Sequence, residues 1–156
     1  MIDEVIPLVK IIQHISKVSS LLKRVARTLE SRADTHDVTK FEPDEFSGFC
    51  QLDSYRLHGK EEYGSKAYEA GMNIDAVKLH LSRNSHHIEY WPNGLAGMSF
   101  ADVIEMLADW EVARQQRDTE QDINKTWLTR QERFKLSDFE ITFLRTIWEK
   151  IEKDLK

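Results

Sequence analysis

The sequence predicts an all-α protein, a single-domain bundle of about five to seven helices over residues 1–156. Six glycines and three prolines are few for a chain of this length, which disfavours a turn-rich β-sandwich. A hydrophobic fraction of 40% and a charged fraction of 31% are typical of a soluble globular protein. Apolar residues also recur at steps of three, four and seven, which is the spacing of amphipathic helices.

The first helix is predicted from about Ile2 to Glu30, because one face of this segment is apolar throughout. The apolar positions of that face are Ile11, Ile15, Val18, Leu22, Val25 and Leu29. A second helix begins at Pro43, whose fixed φ suits a first helical turn, and runs towards Leu57 with Gly59 as its stop.

The third helix starts at Asn73 or Asp75 and carries the segment HLSRNSHHIEYW, from His80 to Trp91. The sequence WPNG at residues 91–94 ends it, since proline and the Asn-Gly pair break helices. On this helix, His80, Asn84 and His87 would share one face, and His86 would point elsewhere unless the helix ends or kinks near it.

Two capping boxes predict where later helices begin. Ser99 with Asp102 opens a helix that runs through Trp110, and Ser137 with Glu140 opens the final helix. Between them, a helical segment ends near Phe134. The final helix has Phe139, Phe143, Ile147 and Ile151 at near-heptad spacing, so it closes the core or pairs with a second subunit in a homodimer.

Composition excludes several classes of function. The formal charge of −5 argues against binding an extended nucleic acid, which usually requires a basic face. Cys50 is the single cysteine, so a disulfide framework and a CxxC zinc site are both excluded. No apolar run reaches membrane-spanning length and the N-terminus is acidic, so we expect a cytoplasmic protein that does not interact with membranes.

Histidines and carboxylates in the chain suggest a metal site, since neutral imidazole is the commonest protein ligand for transition metals. Each residue also has an ordinary structural role, such as a hydrogen-bonded histidine at the core edge or an aspartate in a salt bridge. His58 is expected to be a surface residue without a role. The candidate ligands are His14, His36, Asp37, His80, His86, His87 and Asp109.

In chain order these candidates follow an H…HD…D pattern, which resembles that of the HD-domain metal-dependent phosphohydrolases. The order is still more similar to the HD-GYP branch, H…HD-x-x-K…H…HHE…D. Separately, HDVTKF, HLSRNSHHIEYW and MLADW closely resemble an uncharacterised family of small phage and bacterial proteins. That family has HD-x-[ST]-K-F, H-x-x-x-N-x-HH-x-x-[YW]-W and DW motifs but no established activity. The GYP triplet is absent here, so cyclic-di-GMP is not implied as a substrate.

The HD resemblance implies an HD-domain-like fold and a role for each candidate. The residues matching the first metal site are His14, His36, Asp37 and Asp109, and those matching a second are His80, His86 and His87. Lys40 matches the lysine that approaches the substrate phosphate. We expect one or two divalent ions, and mixed His/carboxylate ligation suits Mn, Fe, Co, Ni or Zn better than Mg or Ca.

The expected chemistry is cleavage of a phosphate ester or anhydride, for which a metal activates water and neutralises phosphoryl charge. Asp37 could bridge two ions or position the water, and Lys40 and Arg83 could clamp the phosphate. Asn84 is a candidate for binding the substrate or, like Glu89, for orienting the imidazoles.

The sequence therefore favours a metal-dependent phosphohydrolase acting on a small phosphorylated compound, most readily a nucleotide. A second hypothesis is a non-catalytic structural or regulatory protein that holds an ion through the same residues. A third is a helical module without metal, such as a phage accessory protein that binds a host partner through its last helix. Metal content separates the third hypothesis from the other two.

Overall fold

The computed structural model describes residues 2–56, 70–72, 74–116 and 123–155, and within these ranges the chain is all-α, with no β-strand. The chain divides into two compact units, residues 1–36 and residues 37–156. Gly59, the predicted stop of the second helix, and His58 lie outside the described residues.

The first unit is one long helix, α1, at Ile2–Thr35. It extends one turn further than the apolar pattern predicted. Thr35 Oγ1 donates to the Ser31 carbonyl at 3.0 Å within this last turn. Arg32 also lies there, where a cation interacts favourably with the helix dipole.

The second unit contains five described α-helices and three 3-10 turns. The helices are α2 (Pro43–Arg56), α3 (Asp75–Arg83), α4 (Phe100–Gln116), α5 (Ile123–Phe134) and α6 (Asp138–Asp154). The 3-10 turns are Val38–Phe41, Ile88–Tyr90 and Gly94–Gly97. Both predicted capping boxes are present: Asp102 N donates to Ser99 Oγ at 3.2 Å, and Glu140 N donates to Ser137 Oγ at 3.3 Å.

The hydrophobic core of the second unit forms between α4, α5 and α6. Its buried members are Ile88, Met106, Leu107, Trp110, Trp127, Leu136, Ile141 and Leu144. Helices α2 and α3 pack against each other, and Gly48 lies directly against Ala76. A Cβ on Gly48 would lie 2.2 Å from the Ala76 Cβ, so only glycine permits this helix separation.

The predicted end of α3 at residues 91–94 is wrong, because the helix ends at Arg83. Asn84 has extended backbone dihedrals, φ −107° and ψ 115°, and its side-chain amide donates to the His80 carbonyl at 2.8 Å. The Asn84 backbone N–H donates to the same carbonyl at 3.2 Å, so the last helical bond of α3 is made and the extended backbone of Asn84 ends the helix there. The chain then turns, with His87 N donating to the Asn84 carbonyl at 3.0 Å.

The apolar face predicted for α6 is also only partly correct. Ile141 and Leu144 are buried in the core, whereas Phe139 and Phe143 are exposed and stack on each other with centroids 6.1 Å apart. Apolar residues occur on two sides of this helix, so spacing alone did not identify the buried side. In the described part of the chain, no helix is long and apolar enough to cross a bilayer.

Candidate metal centre

Four predicted ligands converge in the second unit. Asp37, His80, His86 and His87 each offer one ligand atom, and these four atoms all lie within 4.8 Å of one another. They come from three places in the chain: the residue before the first 3-10 turn, helix α3, and the turn that follows α3. Asp109, on α4, has a carboxylate oxygen within 4.8 Å of one on Asp37.

Asp37 occupies an unusual backbone position at the start of this cluster. Its φ of 57° places it in the left-handed region, which aspartate tolerates better than most residues. The following turn is closed by Lys40 N, which donates to the Asp37 carbonyl at 2.9 Å. The same lysine also places its Nζ 2.5 Å from Asp37 Oδ2, leaving Oδ1 directed at the histidines.

His80 lies between two carboxylates. Its Nε2 is 3.1 Å from Asp37 Oδ1, and its Nδ1 is 2.9 Å from Oε2 of Glu45 on α2. His80 and Glu45 are both buried, and the Glu45 side chain is fully enclosed. Thr39 Oγ1 also donates to Glu45 Oε2 at 3.0 Å, which fixes the orientation of that carboxylate.

His86 also lies between two carboxylates, one of them the same Asp37 and the other a different glutamate. Its Nε2 is 3.3 Å from the same Asp37 Oδ1, and its Nδ1 is 3.1 Å from Oε1 of Glu105 on α4. Both imidazoles therefore direct Nε2 at the same carboxylate oxygen, and the Nδ1 of each lies beside a glutamate. Imidazole ligands of metals commonly have a carboxylate or carbonyl at the other ring nitrogen.

Each of these two imidazoles has two carboxylate neighbours. A neutral imidazole carries one N–H, so it can donate to one of its two carboxylate neighbours and must face the other with a lone pair. Either a proton or a metal ion relieves that repulsion. Two ligand atoms each about 2.1 Å from one ion are separated by about 3.0 Å in octahedral geometry and about 3.4 Å in tetrahedral geometry. The observed 3.1 and 3.3 Å fall within this range.

His87 completes the cluster as a neutral imidazole. Burial, together with the nearby His86 and His80, lowers its pKa from 6.5 to about 2. Its ring centroid lies 4.1 Å from that of His86, and its Nε2 is buried and accepts no hydrogen bond within the described residues. A deprotonated nitrogen enclosed in this way is suited to ligate an ion.

Asp37 remains ionised in this environment. Burial raises the pKa of its carboxyl, but the His80 and His86 nitrogens and the Lys40 ammonium outweigh burial and hold the pKa far below its usual range. The group is therefore an anionic oxygen donor next to the imidazoles at any physiological pH.

The turn that holds His86 and His87 is fastened on both sides. Ser85 Oγ donates to Asp102 Oδ1 at 2.6 Å, which ties the turn to the start of α4. Trp91 Nε1 donates to the Ser85 carbonyl at 2.7 Å. Both neighbouring histidines face the cluster because the chain leaves the helical conformation before reaching them.

Other predicted site residues have different surroundings. Arg83 donates to Glu42 at 3.2 Å and to Asp44 at 2.9 Å. Asn84 donates to Thr39 Oγ1 at 3.0 Å, in addition to capping α3. Glu89 accepts a 2.6 Å bond from Arg133, and its role in orienting the imidazoles stays a prediction.

The two histidines of the first unit do not come together. His14 lies in the middle of α1, and His36 follows the last residue of that helix. The helix is continuous from His14 to Thr35, and these 22 residues correspond to about 30 Å along its axis. Within one chain, one ion cannot bridge these two side chains. Their roles as ligands stay predictions.

Glu45 and Glu105 were missed by the sequence analysis, although signals for both exist. Glu45 lies seven residues before the buried Leu52 and therefore on the buried face of α2. Glu105 lies four residues before Asp109, a candidate ligand, and therefore on the same side of its helix.

Fold and site together define an all-α protein with a partly buried cluster of three histidines and an aspartate, and with a glutamate beside two of the histidines. The chain belongs to the family of unknown function DUF5662, whose model matches residues 7–150. The prediction of an uncharacterised family is thereby confirmed. Neither a curated protein nor a solved structure matches the chain.

Proposed function

We propose that this protein is a metal-dependent phosphohydrolase that acts on a small phosphorylated compound, most readily a nucleotide. The observation that carries the proposal is the convergence of Asp37, His80, His86 and His87 within 4.8 Å. The glutamates behind His80 and His86 support it, because they orient the imidazoles as ligands. This donor set suits Mn, Fe, Co, Ni or Zn.

One ion is the number that this cluster supports. His80 and His86 share the same Asp37 oxygen as their neighbour, so the predicted division into two separate metal sites is not needed to explain their positions. Asp109 extends the cluster from Asp37 and is available to an ion or to a water molecule that attacks a phosphate. A second ion involving His14 and His36 stays an expectation of the HD resemblance.

Lys40 provides the phosphate-binding element of the proposal. Its ammonium lies 2.5 Å from Asp37 Oδ2 and 5.0 Å from the centre of the Phe49 ring, and its side chain is 37% exposed. It therefore joins a proposed metal ligand to the protein surface. A bound divalent ion would activate water and neutralise phosphoryl charge, and Lys40 would hold a further phosphate oxygen.

The chain order of the ligands supports the same class of reaction, since it resembles that of HD-domain phosphohydrolases. A small phosphorylated substrate is also consistent with the expected cytoplasmic location and with an acidic chain that does not bind extended nucleic acid. The reaction class and the substrate are proposed from the sequence pattern, whereas the bound ion is proposed from the geometry of the cluster.

A non-catalytic metal protein is the second candidate, and a specific observation favours it. Three imidazoles and one carboxylate are enough to fill a tetrahedral shell, and a closed tetrahedral shell is typical of structural zinc sites. His80 and His86 are each only 3% exposed in their side chains. The two candidates differ at the ion: a catalytic ion keeps one coordination position open, whereas a structural ion has none.

Metal content is the first test of the proposal. Elemental analysis of the untagged protein, after reconstitution with each of the five metals, should give one equivalent of one ion. His80→Ala and Asp37→Asn should abolish this binding, whereas His58→Ala, at a histidine without an expected role, should retain it. If neither the purified nor the reconstituted protein holds metal, both metal hypotheses fail and a helical binding module becomes the better explanation.

Turnover is the second test. The metal-loaded protein should hydrolyse at least one member of a panel of nucleoside phosphates or p-nitrophenyl phosphate. Lys40→Met should keep its metal but lose kcat/KM by at least about tenfold, the value of one charged hydrogen bond to the transition state. Lys78→Met, at an exposed lysine on α3, is the matched control. Full metal occupancy without turnover would favour the non-catalytic candidate.

A further inference from the structure

Helix α1 has an apolar seam with a strict heptad spacing. Its seven members follow one another at alternating steps of three and four: Leu8, Ile11, Ile15, Val18, Leu22, Val25 and Leu29. In the single chain six of them are exposed, and the exposed fractions of Ile15 and Leu22 reach 61% and 64%. Helical stability in proteins comes mainly from packing of such a face, so this seam requires a cover.

The surroundings of the seam indicate what covers it. The six positions that flank the seam between Leu8 and Leu29 are uncharged: Ile12, Ser19, Ala26, His14, Leu21 and Thr28. All charged residues in this interval are basic and occupy the outer heptad positions: Lys10, Lys17, Lys23, Arg24 and Arg27. Two such helices can approach seam to seam without placing like charges at the contact.

We propose that α1 packs against α1 of further copies of this chain, so that the protein is a homo-oligomer joined by a coiled-coil bundle. A repeat of 3.5 residues keeps a seam facing a partner helix along its whole length, and an identical copy provides the same seam. Leucine predominates at the first seam position of each heptad and β-branched residues at the second, a pattern that favours more than two helices.

An anionic lipid surface is the main competing cover, because the outer face is basic. The seam favours a helix instead. Helices that lie in the lipid interface usually insert tryptophan, phenylalanine or leucine, whereas no aromatic residue occurs between Leu8 and Leu29 and four seam positions are isoleucine or valine. The inference is independent of the cluster that carries the proposed function, since Asp37, His80, His86 and His87 all lie outside α1.

Molar mass by light scattering tests the oligomer. The full-length protein should have a mass of several chains, and the double variant Ile15→Glu/Leu22→Glu should be a monomer that keeps its thermal transition. Gln13→Glu/Ser20→Glu adds the same charges at outer positions and should remain oligomeric. A monomeric wild type at about 100 μM would overturn the proposal, and so would a seam variant of unchanged mass.

Cross-linking keeps the test decisive if the seam variant does not fold. In a Cys50→Ser background, Val18→Cys lies at the centre of the seam, where identical residues meet in either helix orientation. On mild oxidation it should form a disulfide-linked dimer at least about tenfold faster than Ser20→Cys at an outer position. Equal rates would refute the packing, as would a wild-type monomer that sediments with phosphatidylserine vesicles.

Discussion

Replacing Glu45 by glutamine separates a metal centre from a purely structural ion pair. Glutamine keeps the size of the side chain and removes its charge, at a position that is fully buried and 2.9 Å from His80 Nδ1. If His80 is a metal ligand, the carboxylate accepts its Nδ1–H and presents the Nε2 lone pair to the ion. Loss of such a partner typically weakens metal affinity by about 10- to 100-fold, or about 1.4–2.8 kcal/mol.

If the contact is a purely structural ion pair, the same substitution should lower the free energy of unfolding and not the metal affinity. In that case His80 is a protonated imidazole held between Asp37 and Glu45, and no ion takes part. Removing one partner from a buried ion pair costs about 3–5 kcal/mol of unfolding free energy. The loss would then be equal in the presence and absence of metal, because metal has no place in the pair.

Two measurements decide between these outcomes. Metal affinity comes from competition with a chromophoric chelator, and unfolding free energy from urea titrations with saturating metal and with EDTA. Glu42→Gln is the matched control, because this exposed glutamate shares with Glu45 a contact to Arg83. The reasoning is refuted if Glu45→Gln binds metal as tightly as Glu42→Gln, or if its stability loss is independent of metal.

Three further predictions follow from the second unit. Gly48→Ala should cost about 1–3 kcal/mol of stability and weaken metal binding, because its Cβ would clash with Ala76; denaturant titrations should show rescue by the compensating Ala76→Gly. Trp148→Ala, at a partly buried position against the core, should cost about 2–3 kcal/mol and leave metal content in the folded protein unchanged by elemental analysis. Acid should destabilise the metal-free protein. The low pKa of His87 means that the unfolded protein binds a proton at this residue below about pH 6.5, whereas the folded protein does so only near pH 2. The free energy of unfolding should therefore fall by up to about 1.4 kcal/mol per pH unit between these values. The low pKa of Asp37 adds a loss of the same sign at lower pH. Urea titrations of wild type and His87→Gln between pH 7 and pH 4 should show the steeper slope in the wild type.

Local signals predicted the helices well because they depend on neighbouring residues. Pro43, Ser99 and Ser137 each mark a helix start that the structure confirms, since a fixed φ or a capping side chain acts within one turn. The end of α3 was misplaced because the extended backbone of Asn84, whose side chain also bonds the His80 carbonyl, ends the helix about two turns before the proline that dominates the sequence pattern.

The cluster of ligands could be predicted only by residue type, not by geometry. Asp37 and His80 are recognisable as ligands in the sequence, but the backbone turn that directs both His86 and His87 inward is determined by Asp102 and Trp91, which carry no metal signature. Glu45 illustrates the same limit. Its partner is 35 residues away, and only the packing of α2 on α3 brings the two together.

The shared oxygen of Asp37 has a consequence for how the chain is held together. An ion bound by Asp37 and His80 would connect positions 43 residues apart, in a protein whose single cysteine excludes an internal disulfide. Such a connection acts as a removable cross-link, because it restricts the unfolded chain as a disulfide does and disappears with a chelator. Metal supply would then regulate how long the protein survives in the cell as well as what it can do there.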